Sequence, residues 1–224
     1  PAGTSYVANS TVVSYTTSSP FIEDFESGNG GWISSGDATT GAFVSVDPNG
    51  TTWQPADDHT EGIGINALIT GQNTDIGVQD VDNGVSIATS PSYIVAQASE
   101  LSIWYFFGQR DPGDDADDYF LLEYSIDNGI NWTDMVSIGD VTFVDVWTEA
   151  TALIPANSTV LVRVSASDGG ATGDIIEAGV DDLQITYLSS VTTTWDNISG
   201  GAIEDLTDGT AANLITASDA ISLG

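Results

Sequence analysis

The 224-residue chain contains no cysteine and a single histidine, His59. The absence of cysteine excludes a disulfide framework, thiolate metal sites and cysteine nucleophiles. One histidine excludes the histidine-rich zinc sites, and no Gly-x-Ser-x-Gly turn is present to set a serine beside it. A carboxylate pair for glycoside hydrolysis stays open among so many acidic residues. We predict a protein that is not an enzyme, in which His59 caps the turn of the "DDHT" stretch.

Basic residues are almost as scarce as histidine. Arg110 and Arg163 stand against 33 acidic residues, and the formal net charge is −31. Such a chain repels nucleic acid and anionic membrane surfaces, because it lacks the cationic groups that neutralise phosphates. It attracts cations instead. Adaptation to salty water would explain the total charge but not the clustering of acidic residues in particular loops.

Long apolar runs are also absent. No stretch approaches the roughly 20 apolar residues of a membrane-spanning helix, and no signal peptide with a basic segment is present. We therefore expect no membrane insertion, and we interpret the chain as a mature or excised form. Hydrophobic residues make up 41% of the sequence, which is enough for a packed core.

What is present is a series of short apolar and β-branched segments between clusters of Gly, Asn, Asp and Pro, with no sustained helical period. In residues 119–126 apolar side chains alternate up to the turn Asp127-Asn128-Gly129, which predicts a hairpin. Residues 158–167 alternate in the same way, and residues 101–108 are apolar on both faces, as in a strand covered on each side. The sequence predicts an all-β protein.

The two ends differ from the middle. Residues 1–19 and 189–224 are rich in Ser and Thr, yet each contains stretches with strand propensity. Linkers are the simplest interpretation. The alternative is that each end adds a strand to a sheet, in the parent domain or in a neighbouring copy. We expect an N-terminal extension (1–19), a sandwich domain (20–188) and a C-terminal extension or the start of a further module (189–224).

Six short stretches in the middle resemble one known family in sequence and order. They are "EDFESGNGGW" (23–32), "DDHTEGIG" (57–64), "VDNGVSIATSPSYIV" (81–95), "LSIWYFFG" (101–108), "LLEYSIDNGINW" (121–132) and "AGVDDLQI" (178–185). Over residues 21–188 the chain resembles the MAM domain, and more closely the MAM-like, choice-of-anchor type modules of secreted bacterial proteins. The resemblance implies an antiparallel two-sheet jelly-roll sandwich that binds calcium near a sheet edge and has no catalytic activity. Animal MAM domains carry cysteine pairs. This chain lacks them, and the bacterial modules lack them too.

The resemblance also implies a first set of calcium ligands, namely Asp24, Glu26, Asp58 and Asp181. Strand alternation in "VDDLQITY" points to the same place, because it puts Asp181 on the inward face with Leu183 and Ile185. A buried carboxylate needs a cation or several hydrogen-bond donors. With two basic residues in the whole chain, a metal ion is the favoured partner.

A second metal site is predicted from the acidic loops alone. Calcium takes six to eight oxygen ligands in flexible geometry, so its loops need closely spaced Asp or Asn and a Gly for the bend. "DVDNG" and "DPGDDADD" have this form, although the 12-residue EF-hand loop is absent. Magnesium suits fewer carboxylates. The candidate ligands are Asp80, Asp82, Asp111, Asp114, Asp115 and Asp117.

Six tryptophans are many for a polar chain of this size, and sugars stack on exposed indole rings. Most should belong to the core. Trp53 and Trp147 have polar or acidic neighbours, and they are the candidate ligand-binding residues.

Two functions fit these observations. The first is an extracellular or cell-surface β-sandwich, stabilised by calcium, that acts in surface assembly or adhesion through self-association or other surface proteins. It could be a filament or surface-layer subunit joined through its terminal strands. The alternative is a carbohydrate-binding accessory module of a secreted hydrolase, with polysaccharide as the partner.

Overall fold

The computed structural model describes residues 21–72, 77–110, 113, 115–140, 143–170 and 174–188. The two predicted extensions, 1–19 and 189–224, lie outside these ranges. Within them there are twelve strands and no helix, and hence no helix long and apolar enough to cross a membrane. The strands are β1 (Phe21–Glu23), β2 (Ile33–Gly36), β3 (Val44–Val46), β4 (Ala67–Ile69), β5 (Gly84–Thr89), β6 (Tyr93–Val95), β7 (Ser99–Gln109), β8 (Tyr119–Ser125), β9 (Thr133–Gly139), β10 (Val144–Ile154), β11 (Ser158–Asp168) and β12 (Ile176–Tyr187).

The strands form two antiparallel sheets, which confirms the predicted sandwich. One sheet has the order β10-β7-β12-β4-β3, with β1 also paired to β12. The other has the order β2-β5-β11-β8-β9, with β6 also paired to β11. We call them the first and the second sheet.

The core lies between the sheets and follows the predicted alternation. In β11 the side chains of Val160, Val162 and Val164 are fully buried, and in β8 those of Phe120 and Leu122 are fully buried as well. Burying side chains of this size contributes about 1.5–3 kcal/mol each. The β-branched and aromatic residues of these strands therefore supply both the extended conformation and the stability of the sandwich.

The outer face of the first sheet is covered as well. Ala67, Ile69 and Phe106 form a second buried cluster, against which Val46 and Trp147 pack. A Cβ atom on Gly179 would lie 2.4 Å from the ring of Phe106, so this position needs a glycine. Strand β7 is thus covered on both faces, as its sequence predicts.

A β-bulge interrupts β12. Asp181 lies opposite Trp104 and Gln184 lies opposite Ser102, so two residues of β12 face one of β7. Asp182 has a positive φ of 46° at this point. The bulge shifts the alternation, and Val180 and Leu183 both face the core.

The β8–β9 hairpin has the predicted turn, with φ of 62° at Asn128 and 85° at Gly129. The Asp127 carboxylate accepts hydrogen bonds from the Ser125 hydroxyl, from the backbone N–H groups of Ile130 and Asn131, and from the Asn131 side-chain amide. The bonds from Asn131 are the main reason that the pKa of Asp127 falls to about 2. The ionised carboxylate holds the turn together.

We predict that Asp127→Asn destabilises the protein in a pH-dependent way. The folded-state pKa is below the usual 3.8, so the charged form stabilises the fold fully above about pH 4, and this stabilisation is lost as the pH falls toward 2. Urea unfolding from pH 2 to 6 should show a wild-type advantage that shrinks with acid. Asp134→Asn, in the exposed part of β9, is the control. A difference that is constant over this range would contradict the assignment.

Candidate metal centres

Three aspartates meet at one end of the sandwich, close to the acidic loop before β8. Asp115, Asp118 and Asp174 each place one carboxylate oxygen so that all three oxygens lie within 4.8 Å of one another. In the part of the chain that the structure describes, no other group of three acidic or histidine side chains meets this condition. The cluster could hold a metal ion.

Strand register explains why the cluster forms. Tyr119 at the start of β8 pairs with Ser167 near the end of β11, so Asp118 comes beside Asp168. The Gly169 N–H donates to Asp118 Oδ1 at 2.7 Å. Asp174 precedes β12, which belongs to the first sheet. The cluster therefore joins the ends of strands from both sheets.

Several carboxylate oxygens here are buried without a hydrogen-bond donor. Asp118 is fully buried, and its Oδ2 has no hydrogen-bond partner. The same holds for Oδ1 of Asp168 and for both oxygens of Asp80, two residues that are each 3% exposed. Asp140 shows the contrast, because its Oδ1 accepts from the Gln109 amide and the Gly113 N–H. A buried acceptor without a donor is costly unless a cation or proton satisfies it.

The pKa shifts agree with this geometry. The pKa of Asp118 is raised to about 7, mainly by burial and also by the nearby charges of Asp168, Asp174 and Asp115, against the lowering effect of the Gly169 hydrogen bond. Burial, followed by the charge of Asp82, raises the pKa of Asp80 to about 6, and Arg110 opposes this only weakly. The hydrogen bonds and basic groups near Asp80 and Asp118 therefore do not fully offset the cost of ionising these two carboxyl groups.

The second predicted set is only partly brought together. Asp115 belongs to the cluster. Asp117 is exposed, and its N–H donates to Asp115 Oδ1 at 2.9 Å. Asp80 and Asp82 lie in the adjoining segment, where the Asp82 carboxylate accepts from the Thr40 hydroxyl. Asp111 and Asp114 lie outside the described residues.

Two members of the cluster were not among the sequence-based candidates. Asp118 stands in the same acidic run as Asp115, but it directly precedes a strand, and strand register is what turns it inward. Asp174 is far from the acidic loops in sequence. Both lie within two positions of the start of a strand, and acidic residues so placed are the signal that could have found them.

The first predicted set of ligands consists of Asp24, Glu26, Asp58 and Asp181. Asp58 belongs to the segment of residues 57–66, and Glu26 and Asp181 accept hydrogen bonds from its backbone. Glu26 Oε1 accepts from the N–H groups of Ile65 and Asn66 at 2.9 and 2.8 Å. Asp58 Oδ2 is buried without a hydrogen-bond partner. The pKa of Asp58 is raised to about 6, mainly by burial. A hydrogen bond with Asp57 and the charges of Asp57, Glu26 and Asp182 also contribute to this increase. Asp24 accepts from the Glu26 N–H and thereby caps the turn.

Asp181 is fully buried, but the inward-face prediction is wrong. Because of the bulge, Asp181 shares the outer face of the first sheet with Trp104, and residues 57–60 cover it. Its Oδ2 accepts from the His59 N–H at 2.8 Å, and its Oδ1 accepts from the Asp182 N–H. Burial raises its pKa to about 8. These two backbone donors therefore stabilise the buried carboxylate of Asp181, a role for which the sequence favoured a metal ion.

His59 fastens this covering segment to the sheet. Its ring stacks on Trp104 with a centroid distance of 3.7 Å, and its Nδ1 lies 2.7 Å from Asp182 Oδ2. The Thr60 hydroxyl donates to the other oxygen of Asp182. The only histidine of the chain is thus engaged in structural contacts.

The two candidate ligand-binding tryptophans are both half-buried. Trp147 donates its ring N–H to the Asp57 carbonyl at 2.9 Å and packs edge-on against Phe106. Trp53 lies edge-on against Phe143, which is 42% exposed. Aromatic surface at Trp53 therefore adjoins solvent, whereas Trp147 holds the covering segment in place.

No family model matches this sequence, and no curated protein matches it. Among solved structures the chain is similar to the K3 cleaved adhesin domain of Lys-gingipain from Porphyromonas gingivalis W83, with 15% identity, a TM-score of 0.48, and coverage of 77% of this chain and 99% of that one. It is also similar to TmCBM61 in complex with β-1,4-galactotriose, at 18% identity, a TM-score of 0.46, and coverage of 72% and 92%. A third is the C-terminal family 22 carbohydrate-binding module of Clostridium thermocellum Xyn10B, at 12% identity, a TM-score of 0.41, and coverage of 78% and 97%. These are distant similarities, and the site is interpreted from its own geometry.

We predict that Asp118→Asn removes the response of the protein to calcium. The amide keeps the shape but removes a buried negative charge, so the variant should be at least as stable as the wild type in excess chelator. Calcium at one hundred times its dissociation constant should stabilise the wild type by about 2.7 kcal/mol, and the variant by much less. Thermal unfolding at fixed ionic strength measures both effects, with Asp134→Asn as the matched control. An equal response of the wild type and the Asp118 variant would contradict the site.

Proposed function

We propose that this chain is a non-catalytic, extracellular β-sandwich that is stabilised by calcium and acts in cell-surface assembly or adhesion. The resemblance to MAM-like modules of secreted bacterial proteins belongs to the same proposal. The single observation that carries it is the cluster of Asp115, Asp118 and Asp174, with its buried carboxylate oxygens.

Calcium is the ion that this cluster fits best. It accepts six to eight oxygens in irregular geometry, and three carboxylates with neighbouring carbonyl groups and water can supply them. Magnesium demands a near-ideal octahedron and keeps several waters, which suits fewer carboxylates. Zinc prefers nitrogen and sulfur ligands, but the chain has no cysteine and its histidine contacts Asp182.

An extracellular setting suits the same ion. Calcium sites of extracellular modules work at dissociation constants of about 10⁻⁴–10⁻³ M, because calcium is abundant there. A chain with a net charge of −31 is also protected against non-specific association by its own repulsion, so any self-assembly must use defined contacts.

Assembly is tested by sedimentation of the full chain at one fixed salt concentration, with calcium and then with excess chelator. We expect species larger than the 23.3 kDa chain in calcium and a shift toward the monomer after chelation, because repulsion among the buried carboxylates then loosens the strand ends. A compact monomer in both conditions would refute the assembly role.

Carbohydrate binding is the second candidate function, and the observation that favours it is the partly exposed aromatic pair Trp53 and Phe143. Sugars stack on such surfaces. If this role holds, Trp53→Ala should abolish the retardation of the protein in gels that contain the bound polysaccharide, and Trp147→Phe should leave most of it. Unretarded migration of the wild type across a panel of plant and bacterial polysaccharides would exclude this candidate.

A further inference from the structure

Strand β10 is an edge strand of unusual length. It spans eleven residues, ends the order of the first sheet and, within the described residues, pairs with β7 alone. Its register with β7 is continuous from Thr148 to Ile154, and the one irregularity lies between Val144 and Thr148. No strand of the described residues pairs with the other side of this stretch of backbone.

This edge carries little protection against pairing. Proteins usually blunt long edges with proline, lysine, bulges or covering segments, because an open edge is a template for another strand. Residues 148–154 contain neither proline nor lysine, and Leu153 is 69% exposed.

The other edge strands are shorter or protected, and β1 and β6, which each pair with one strand, have three residues each. Strands β2 and β3 have four and three residues. They are also tied together, because the Ser34 hydroxyl donates to the Phe43 carbonyl, and the Asn29 side chain accepts from the Ser45 N–H. Strand β9 has seven residues and is therefore shorter than β10.

The sequence contains one segment whose charge fits this edge. The surroundings of β10 are acidic, since Glu100, Asp145 and Glu149 are all exposed there. Most segments of this chain would be repelled. Residues 1–22 contain no charged side chain, the longest such run in the sequence, and "STVVSYTT" (10–17) is rich in β-branched residues and tyrosine.

We propose that residues 10–17 of a second copy of this chain add as a strand to the free edge of β10. This deepens the proposed assembly role and rests on it. Main-chain hydrogen bonds between the added segment and β10 supply the affinity, and alternate side chains pack on the sheet. Because the donor segment and the acceptor edge are different surfaces, the contact is head-to-tail and repeats from copy to copy.

Geometry excludes the segment of the same copy. Phe21 pairs with Ile185 of β12, and β7 occupies the other side of β12, so β1, β12, β7, β10 and an added strand would lie in that order. Four strand spacings amount to about 19 Å. The four residue steps from Thr17 to Phe21 reach at most about 14 Å. A second copy carries no such restriction.

The absence of cysteine allows a direct test in the full chain. The variant Val13→Cys/Thr151→Cys is oxidised mildly and separated on a non-reducing gel. Val12→Cys/Thr151→Cys is treated in the same way, in case the added strand pairs with β10 one residue out of step. We expect a ladder of covalent polymers from one of these pairs. Each single variant gives a dimer at most. Val13→Cys/Ser137→Cys, with its second site on the exposed part of β9, is the matched control.

Each other outcome overturns the proposal. A ladder of equal yield from the Ser137 control, or no ladder from either Thr151 pair, rejects the β10 edge. A cross-link confined to the monomer rejects the second copy. If Ile215→Cys/Thr151→Cys gives a ladder and the Val12 and Val13 pairs do not, the C-terminal extension is the segment that binds the β10 edge.

Proline variants separate this inference from the assembly role itself. Val12→Pro/Val13→Pro should sediment as a monomer with an unchanged melting temperature, whereas Ser18→Pro/Ser19→Pro should assemble, because it spares residues 10–17. If the first variant assembles like the wild type in calcium, the inference fails and the assembly role stands. If the wild type is a monomer in calcium, both fail.

Discussion

The structure depends on burying negative charge with only two basic residues in the chain to neutralise it. Arg163 is engaged elsewhere, with its guanidinium bonded to Glu123 and stacked on Trp132 at 4.1 Å. At the acidic end Arg110 lowers the pKa of Asp80, but burial and the charge of Asp82 still raise it, so the buried carboxylates there also need backbone donors, protons or a cation. Where donors suffice, as at Asp140, the carboxylate is part of the scaffold. Where they do not, as at Asp118, the carboxylate belongs to a cluster that could hold a metal ion.

The two acidic regions solve the same problem in different ways. Around Asp181, a β-bulge turns the carboxylate to the outer face, where the His59 N–H donates to it and residues 57–60 cover it. At the cluster of Asp115, Asp118 and Asp174, one carboxylate oxygen of each residue lies within 4.8 Å of the other two, as around a shared cation. Local backbone irregularity fixes the first arrangement, while register between distant strands fixes the second.

Much of the fold follows from local patterns in the sequence. Alternation located β8 and β11 correctly, and the Asp127-Asn128-Gly129 turn identified the hairpin, because these features depend on neighbours in the chain. The site was harder to predict. Asp118 and Asp174 meet only through pairing between strands far apart in sequence, and alternation misplaced Asp181 because a bulge cannot be read from the period of a strand. Asp115 was found because its acidic run is itself a local signal.

The covered outer face of the first sheet gives the domain a sidedness. Phe106, Trp147 and the segment around His59 form a further layer, which covers the outer face of the first sheet. Among the described residues the second sheet has no such layer, and Tyr119, Leu121 and Arg163 lie half-buried on its outer face. The two outer faces of the described sandwich therefore differ, one covered by a segment of the chain and the other partly open to solvent. Copies arranged in a row would present the same open face repeatedly, so a weak contact made by one face becomes a strong contact for the whole array.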